Sequence, residues 1–432
     1  MSTWRNWSGT ESATGVEVLR PGSTDELAAA VKAAAEQGKK LKAVGSGHSF
    51  TGCSVPSQVM VRMDGLSSIV HADKESGRVT VGAGTGLRKL NAGLAAFDLA
   101  MANLGDIDKQ TISGAISTGT HGTGARLGGL ATQVVGLDLV TADGSMLHCS
   151  AEENPDVFAA ARVSVGALGV ISSLTLQCVP AFLLRAQEMP LPLGDVLSGF
   201  DEFADGNDHF EFYWFPHTEV ALTKRNNRVA AGIGASPVSR VRGWIDDELL
   251  SNKVFELTNR LSVRQPGLVP RINRLASRAL SAREYVDSSY KVFCSERNVV
   301  FRESEYAVPR EHVVEVIRRL RDWIDASGSR IPFPIEVRVA AADDIWLSTA
   351  HGRDTAYVAI HQYHRLPHDE YFRAFERIVS DYDGRPHWGK LHTLTASDFR
   401  DRYPHFDDFL AVRDRLDPQR SFENPYTRQV FG

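Results

Sequence analysis

The stretch Lys42-Ala-Val-Gly-Ser-Gly-His-Ser-Phe-Thr-Gly52 carries the first decision about the fold. Lys42-Ala-Val44 has the pattern of a short strand that runs straight into Gly45-Ser-Gly-His48. The spacing is not that of a classical dinucleotide fingerprint, because the third glycine comes too late and no helix pattern opens there. Glycines nonetheless let a backbone expose consecutive N–H groups as a concavity that a pyrophosphate can occupy. Read in isolation, the same residues would also suit an ordinary tight turn.

A second stretch of the same kind is Ser117-Thr-Gly-Thr-His-Gly-Thr-Gly124. Its glycines, threonines and serine make a loop dense in backbone and hydroxyl donors. Two such loops flanking one small unit imply a long ligand with a diphosphate in its middle.

Working outward, the first half alternates between helix and strand signals. Ser23 and Thr24 precede an amphipathic run from Asp25 to about Gly38, which predicts a capped helix. Strand patterns follow at Val59–Met63 and Val79–Val81, and a second helix is expected between Gly86 and Leu99. Val134 to Cys149 reads as a hairpin turned by Asp143-Gly144, and Gly169–Leu176 as a buried strand stopped by Pro180. Beyond a junction near Gly194, strand-like runs occur at Phe210–Phe215, Asn298–Tyr306, Ile335–Val339 and Tyr357–Tyr363. Helices are expected at Pro309–Ala326 and Asp369–Tyr382. Runs of strands beside longer helices predict an α+β layout, with an antiparallel sheet flanked by helices in the second half. The final Phe422-Glu-Asn-Pro-Tyr426 reads as a tail packing back on the body.

Composition narrows the function. The 432 residues predict two or three domains. A net charge of −5, without basic blocks, argues against a nucleic-acid partner. The short basic groups Lys224, Arg225, Arg228 and Arg240, Arg242 read as solvated faces. Four scattered cysteines (Cys53, Cys149, Cys178, Cys294) fit neither a disulfide framework nor a zinc site, and no metal is expected. The N-terminus has no apolar leader and no membrane-length apolar run occurs, so a cytoplasmic protein is expected.

Gly45-Ser-Gly-His-Ser-Phe, Gly119-Thr-His-Gly-Thr-Gly and Gly166-Ala-Leu-Gly-Val-Ile together resemble the flavin domain of the vanillyl-alcohol oxidase type, also termed the PCMH-type FAD-binding domain. With Glu336-Val-Arg338 and His387-Trp-Gly-Lys390 the set is similar to the aldonolactone oxidoreductase branch, which includes L-gulonolactone, D-arabinonolactone and alditol oxidases. The resemblance covers essentially the whole chain. It implies a two-subdomain FAD-binding domain over 1–180, a substrate-binding or cap domain over 181–415, and a tail over 416–432 near the FAD domain. It also implies FAD held covalently through His48. Ala43, Val44, Gly45, Ser46, Gly47 and Ser49 would line the pyrophosphate. Ser117, Gly119, His121, Gly122, Thr123 and Gly124 would hold the far side, and Ile171 would touch the adenine end. His121 is expected to order its loop rather than act as a base. Ser113-Gly114-Ala115 would lie behind the flavin ring and control oxygen access.

In the second half, Glu336 and Arg338 stand two apart on a β-branched run and leave one face of a strand. Ile335, Val337 and Val339 take the core face, so the pair is directed at a cavity or water. Lys390 follows Trp388-Gly389, where glycine permits close approach and tryptophan offers a flat apolar wall. A lysine after such a turn is usually exposed, and the resemblance implies that this one points at substrate and the flavin edge. Oxidation of a secondary alcohol sends a hydride to flavin N5 and releases the hydroxyl proton. Negative charge then develops at the flavin N1 and O2, which a nearby cation stabilises. By the resemblance, Arg338 and Lys390 supply that charge and Glu336 orients substrate. His361 and Tyr363, alternating to one face, would add hydroxyl contacts. The expected substrate is an aldono-1,4-lactone such as L-gulono-1,4-lactone, oxidised to an ascorbate-type product, with oxygen, a dye, a quinone or a cytochrome as acceptor. An alditol oxidase acting on xylitol or sorbitol is the enzymatic rival, and a flavin carrier without catalysis the non-enzymatic one.

Overall fold

The computed structural model describes residues 2–230, 232–238, 252–296 and 298–432. The basic pair Arg240 and Arg242 lies outside the described residues.

The chain opens with a four-stranded sheet in the order β1 (Ser2–Arg5), β2 (Ser12–Leu19), β4 (Val59–Arg62), β3 (Leu41–Val44). Between β2 and β3 runs α1 (Thr24–Glu36), capped as expected by Ser23, whose side chain accepts from the Glu26 N–H. Its alanine-rich body and the buried Leu27, Val31 and Ala34 explain both its helicity and its packing. β2 and β3 each pair with β4 in parallel.

A second, antiparallel sheet has the order β5 (Ile69–Asp73), β6 (Arg78–Gly82), β10 (Val170–Gln177), β8 (Val134–Val140), β9 (Met146–Ser150). β8 and β9 form the expected hairpin, in which the Asp143 carboxylate accepts from the Ser145 N–H. The expected second helix is α2 (Leu87–Ala96), and α3 (Ile112–Ser117) leads into the second glycine-rich loop. A short pairing of β7 (Leu99–Ala100) with β11 (Val179–Pro180) closes this region.

The rest is dominated by one eight-stranded antiparallel sheet. Its order is β15 (Arg283–Ser288), β12 (Leu183–Pro192), β14 (Val220–Arg228), β13 (His209–Trp214), β17 (Ile335–Ala340), β18 (Thr355–Tyr363), β16 (Phe301–Pro309), β19 (Arg385–Pro386). Helices Val313–Ser327 and Asp369–Ser380 bury apolar stripes that include Val316, Leu320, Phe375 and Val379. One face of the sheet is thus covered by core and the other is left for polar work. The expected α+β architecture is borne out.

The chain ends in a helix, Pro425–Phe431, with proline in its first turn and a capping box on Asn424. The Asn424 side chain donates to the carbonyls of Gly52 and Val55, so the C-terminal segment is stitched to the first glycine-rich loop. Cys53, Cys149 and Cys178 are buried and Cys294 half-buried, all as free thiols.

Candidate active site

Two adjoining cavities mark the site. The first is a cleft of about 880 Å³, walled by Lys42 to Ser49 on one side and by Thr111, Ser113, Gly114 and Ser117 on the other. Ser164, Gly166 and Ile171 line it as well. Most of its wall is backbone, glycine and hydroxyl. At Gly45 an added Cβ would lie 2.5 Å from the Thr111 hydroxyl oxygen, so only glycine lets the two walls approach. Gly47 has φ +71°, a left-handed turn that side chains resist. The second cavity, of about 960 Å³, shares His48, Ser49, Gln110 and Thr118 with the first. Together they suit a long ligand lying in the cleft with one end exposed to the second cavity.

The cleft passes a test for a dinucleotide. The Gln110 side chain donates to the Thr120 hydroxyl at 3.0 Å, while its Oε1, buried between the cavities, accepts nothing from the described residues. An acceptor left open there suits a ring N–H of a ligand.

The N-terminal segment holds the His48 loop in place. The Trp7 N–H donates to the Gly47 carbonyl (2.8 Å), the Asn6 side chain to Ser49 O (3.0 Å) and the Thr10 hydroxyl to Phe50 O (2.8 Å). The Trp7 ring stacks on His48 with centroids 5.7 Å apart. Burial, reinforced by Lys390 and Lys109, pushes the His48 imidazole down to about 4, so it is neutral at physiological pH.

The second cavity is lined by the polar face of the large sheet. Register places Glu211 opposite Arg338 and Tyr213 opposite Glu336. Arg338 donates from Nε to Glu211 Oε2 at 2.8 Å, ion-pairs with Glu336, and lies 3.6 Å from Asp106. The Tyr213 hydroxyl donates to Glu336 Oε1 at 2.9 Å, and Lys224 reaches Glu211 at 3.5 Å. Lys224, read from sequence as solvated, therefore belongs to this network; it stands on β14 next to Glu211. Arg338 and Glu336 are 8% and 5% exposed, so the guanidinium is a buried cation shared by three carboxylates.

Strand β16 adds Glu303 and Glu305. Lys390 ion-pairs with Glu303 and sits 5.2 Å over the Phe50 ring. Burial alone would lower the Lys390 ammonium, but Glu303 and Glu305 outweigh it and hold the group above the usual lysine range. Both ring nitrogens of His121 are engaged, Nδ1 with the Gly122 carbonyl at 2.9 Å and Nε2 with Glu305 at 3.0 Å. The ring also stacks 3.4 Å from Tyr357. Both nitrogens therefore have partners within the protein, which anchor the ring in its loop. His361 lines the cavity and donates Nδ1–H to Pro334 O at 2.9 Å. His387, pushed by burial down to about 3, accepts the Gly389 N–H on Nδ1 at 3.0 Å.

Of the residues singled out from sequence, Ala43 to Ser49, Ser117 and Ile171 line the first cleft, as do Ser113 and Gly114. Glu336, Arg338, His361 and Lys390 meet in the second cavity. His121 also faces the second cavity rather than the cleft. Gly119, Gly122, Thr123 and Gly124 line neither. Their loop is tied to the sheet instead: the Thr123 hydroxyl donates to Phe210 O and Gly124 N–H to Val339 O. An added Cβ at Gly122 would lie 2.2 Å from the Leu104 carbonyl oxygen, so chain packing by itself requires glycine there. Tyr363 is likewise outside the cavity. It is fully buried with Val299, Phe301 and Phe333, and its hydroxyl donates to Glu256 at 2.8 Å. Tyr363 is the last residue of β18, and sharing a face with His361 does not bring it to the same cavity.

Sequence reading passed over Trp7, Asp106, Gln110, Glu211, Tyr213, Glu303 and Glu305. For Glu303-Ser-Glu305 the signal was present: two acids alternating inside a strand-like run leave one face. Trp7 and Asp106 carry no local signal.

Comparison with known proteins agrees with this geometry. Residues 17–150 match the family described as FAD binding domain, and residues 174–430 the family described as D-arabinono-1,4-lactone oxidase. The chain is 46% identical over 431 residues to L-gulono-1,4-lactone dehydrogenase of Mycobacterium tuberculosis, covering 99% of each. It is 35% identical to L-gulonolactone oxidase of Scyliorhinus torazame (99% and 98% covered) and 31% identical to alditol oxidase of a Streptomyces species (99% and 98% covered). Among solved structures, cholesterol oxidase from B. sterolicum superposes with a TM-score of 0.86 at 19% identity, covering 100% of this chain and 96% of that one. A fold held in common at such low identity, a cleft fit for a dinucleotide and full-length likeness to lactone oxidoreductases lead to one assignment. The chain belongs to the D-arabinono-1,4-lactone oxidase family and is a FAD-dependent oxidoreductase.

Proposed function

We propose that this enzyme oxidises an aldono-1,4-lactone, L-gulono-1,4-lactone or a close analogue, at a secondary alcohol. The observation that carries the reading is the second cavity, where Glu336, Arg338, His361 and Lys390 converge beside His48. A polyhydroxylated neutral ring offers donors and acceptors to such a wall, and an apolar substrate would leave its charges unsolvated.

FAD, when bound, supplies the two-electron acceptor for the hydride. Ala43 to Ser49, Ser117 and Ile171 hold it, and the neutral His48 ring nitrogen is its covalent attachment point. Lys390 presents an ammonium to the reacting hydroxyl and favours loss of its proton. Glu336, fixed by the Tyr213 hydroxyl and by Arg338, orients the remaining hydroxyls. Arg338 is first of all a structural cation; its contribution to the reaction is the field it adds from within its acidic cage. Residues 1–180 carry the cofactor, 181–415 the substrate, and 416–432 brace the cofactor loop. Among the described residues no helix is long and apolar enough to cross a membrane, and we place the enzyme in the cytoplasm, with oxygen or another acceptor closing the cycle.

The test is anaerobic bleaching of the flavin. L-gulono-1,4-lactone should bleach it, and bleaching by xylitol or sorbitol alone would overturn the lactone assignment in favour of a polyol oxidase. Acid-precipitated wild type should keep flavin fluorescence on the polypeptide, and His48→Ala should lose it.

A further inference from the structure

Lys42 occupies a position where a buried strand would ordinarily carry an apolar side chain. It is 3% exposed and is one of the residues lining the cofactor cleft, and two of the carbonyls its ammonium meets, those of Val165 and Gly166, belong to lining residues as well. Its three N–H groups go to three backbone carbonyls, Val165, Gly166 and Phe422, each at 3.1 Å. No carboxylate of the described residues pairs with it. The facing acid, Asp417, accepts instead from the N–H groups of Ser421 (2.7 Å) and Phe422 (2.9 Å). Among the described residues that line the cleft, Lys42 is the one lysine or arginine.

An unpaired buried cation is costly, and carbonyl dipoles offset only part of the lost solvation. The cost is sensible if the missing counter-charge arrives with the ligand. The rest of the cleft wall mixes apolar residues such as Val44, Met63 and Ile171 with glycines and the hydroxyls of Ser46, Ser49, Ser113 and Ser117, which can donate hydrogen bonds to a phosphate but bring no net charge.

We propose that Lys42 is the buried counter-charge for the pyrophosphate of FAD, held at its station by the three carbonyls and acting across the cleft by charge. The inference rests on this cleft being the cofactor cleft. Two other titratable groups face Lys42, Cys53 on the helical turn at 52–54 and Asp417 in the C-terminal segment. Burial pushes the Lys42 ammonium down to about 8, so in the flavin-free protein it titrates just above neutral pH.

The experiment compares FAD with riboflavin, which has the same ring system and no phosphate. Both are titrated by fluorescence quenching into flavin-free His48→Ala protein, where the ligand remains exchangeable, and into the same protein carrying Lys42→Met. Lys42→Met should weaken FAD about tenfold or more and leave riboflavin within about twofold. Equal weakening of both flavins, or of neither, overturns the proposal. Should Lys42→Met fail to fold, the parent protein decides alone. Its FAD affinity should fall between about pH 7 and pH 9, because the bound anion favours the protonated ammonium, while riboflavin affinity stays level. A level FAD profile overturns the proposal. A parent that takes up neither flavin overturns the cleft assignment, and the proposal with it.

Discussion

Replacing Arg338 by methionine removes a guanidinium that Glu211, Glu336 and Asp106 share, while keeping most of the volume of its stem. Deleting one partner of a buried ion pair costs about 3–5 kcal/mol, chiefly because the remaining charge stays buried. Here two almost fully buried carboxylates, Glu211 and Glu336, are left as diagonal neighbours across β13 and β17. In the wild type, burial alone would raise the Glu211 carboxyl, but Arg338 and Lys224 outweigh it and hold the group below the usual carboxylate range. A carboxylate held low stabilises the fold above its unfolded value, and that contribution is lost as pH falls through the lower folded value. In Arg338→Met burial dominates, the folded carboxyl rises above its unfolded value, and the dependence inverts. The deficit should then be full near about pH 7.5 and shrink near about pH 5, where the carboxyls take up protons. Equilibrium unfolding in urea at the two pH values, followed by circular dichroism, measures this directly. A deficit below about 1 kcal/mol at the higher pH, or one of equal size at both, would refute the picture of a caged structural cation.

Lys390→Met should slow anaerobic flavin bleaching by about a hundredfold while the flavin content per chain is unchanged, as stopped-flow absorbance and a flavin assay would report. Gly45→Ala should destabilise the holoprotein by about 1–3 kcal/mol and lower its flavin content, because the new methyl meets the Thr111 hydroxyl; the smaller Thr111→Ser does not remove that oxygen and should not rescue it. Tyr363→Phe should cost about 0.5–1.5 kcal/mol in unfolding experiments and leave KM for the lactone where it was, since the hydroxyl serves Glu256 outside the cavity. A raised KM would return Tyr363 to the substrate wall.

Much of this protein is legible without its structure. The helix over Thr24–Glu36 and the strands at Val59–Arg62, Ile335–Ala340 and Thr355–Tyr363 follow from periodicity and capping, which are local properties. The first glycine-rich loop is equally local, since backbone freedom and hydroxyl density belong to neighbouring residues. That Glu336 and Arg338 leave one face follows from the twofold period of a strand. What those side chains meet does not. Arg338 finds Glu211 across 127 positions of sequence and Lys42 finds Phe422 across 380, and both encounters depend on strand register and chain closure. A slip of one residue between β13 and β17 would turn every side chain to the other face and dissolve the cage. The second glycine-rich loop shows the same limit from the other side. Its composition announces donors, and only the approach of Phe210, Leu104 and Val339 makes its later half a seam to the sheet. Sequence therefore determined the elements and the kind of ligand, through interactions a few residues long. Tertiary structure decided which charges neutralise which, because in a low-dielectric interior a charge is defined by partners that only the folded chain brings within reach.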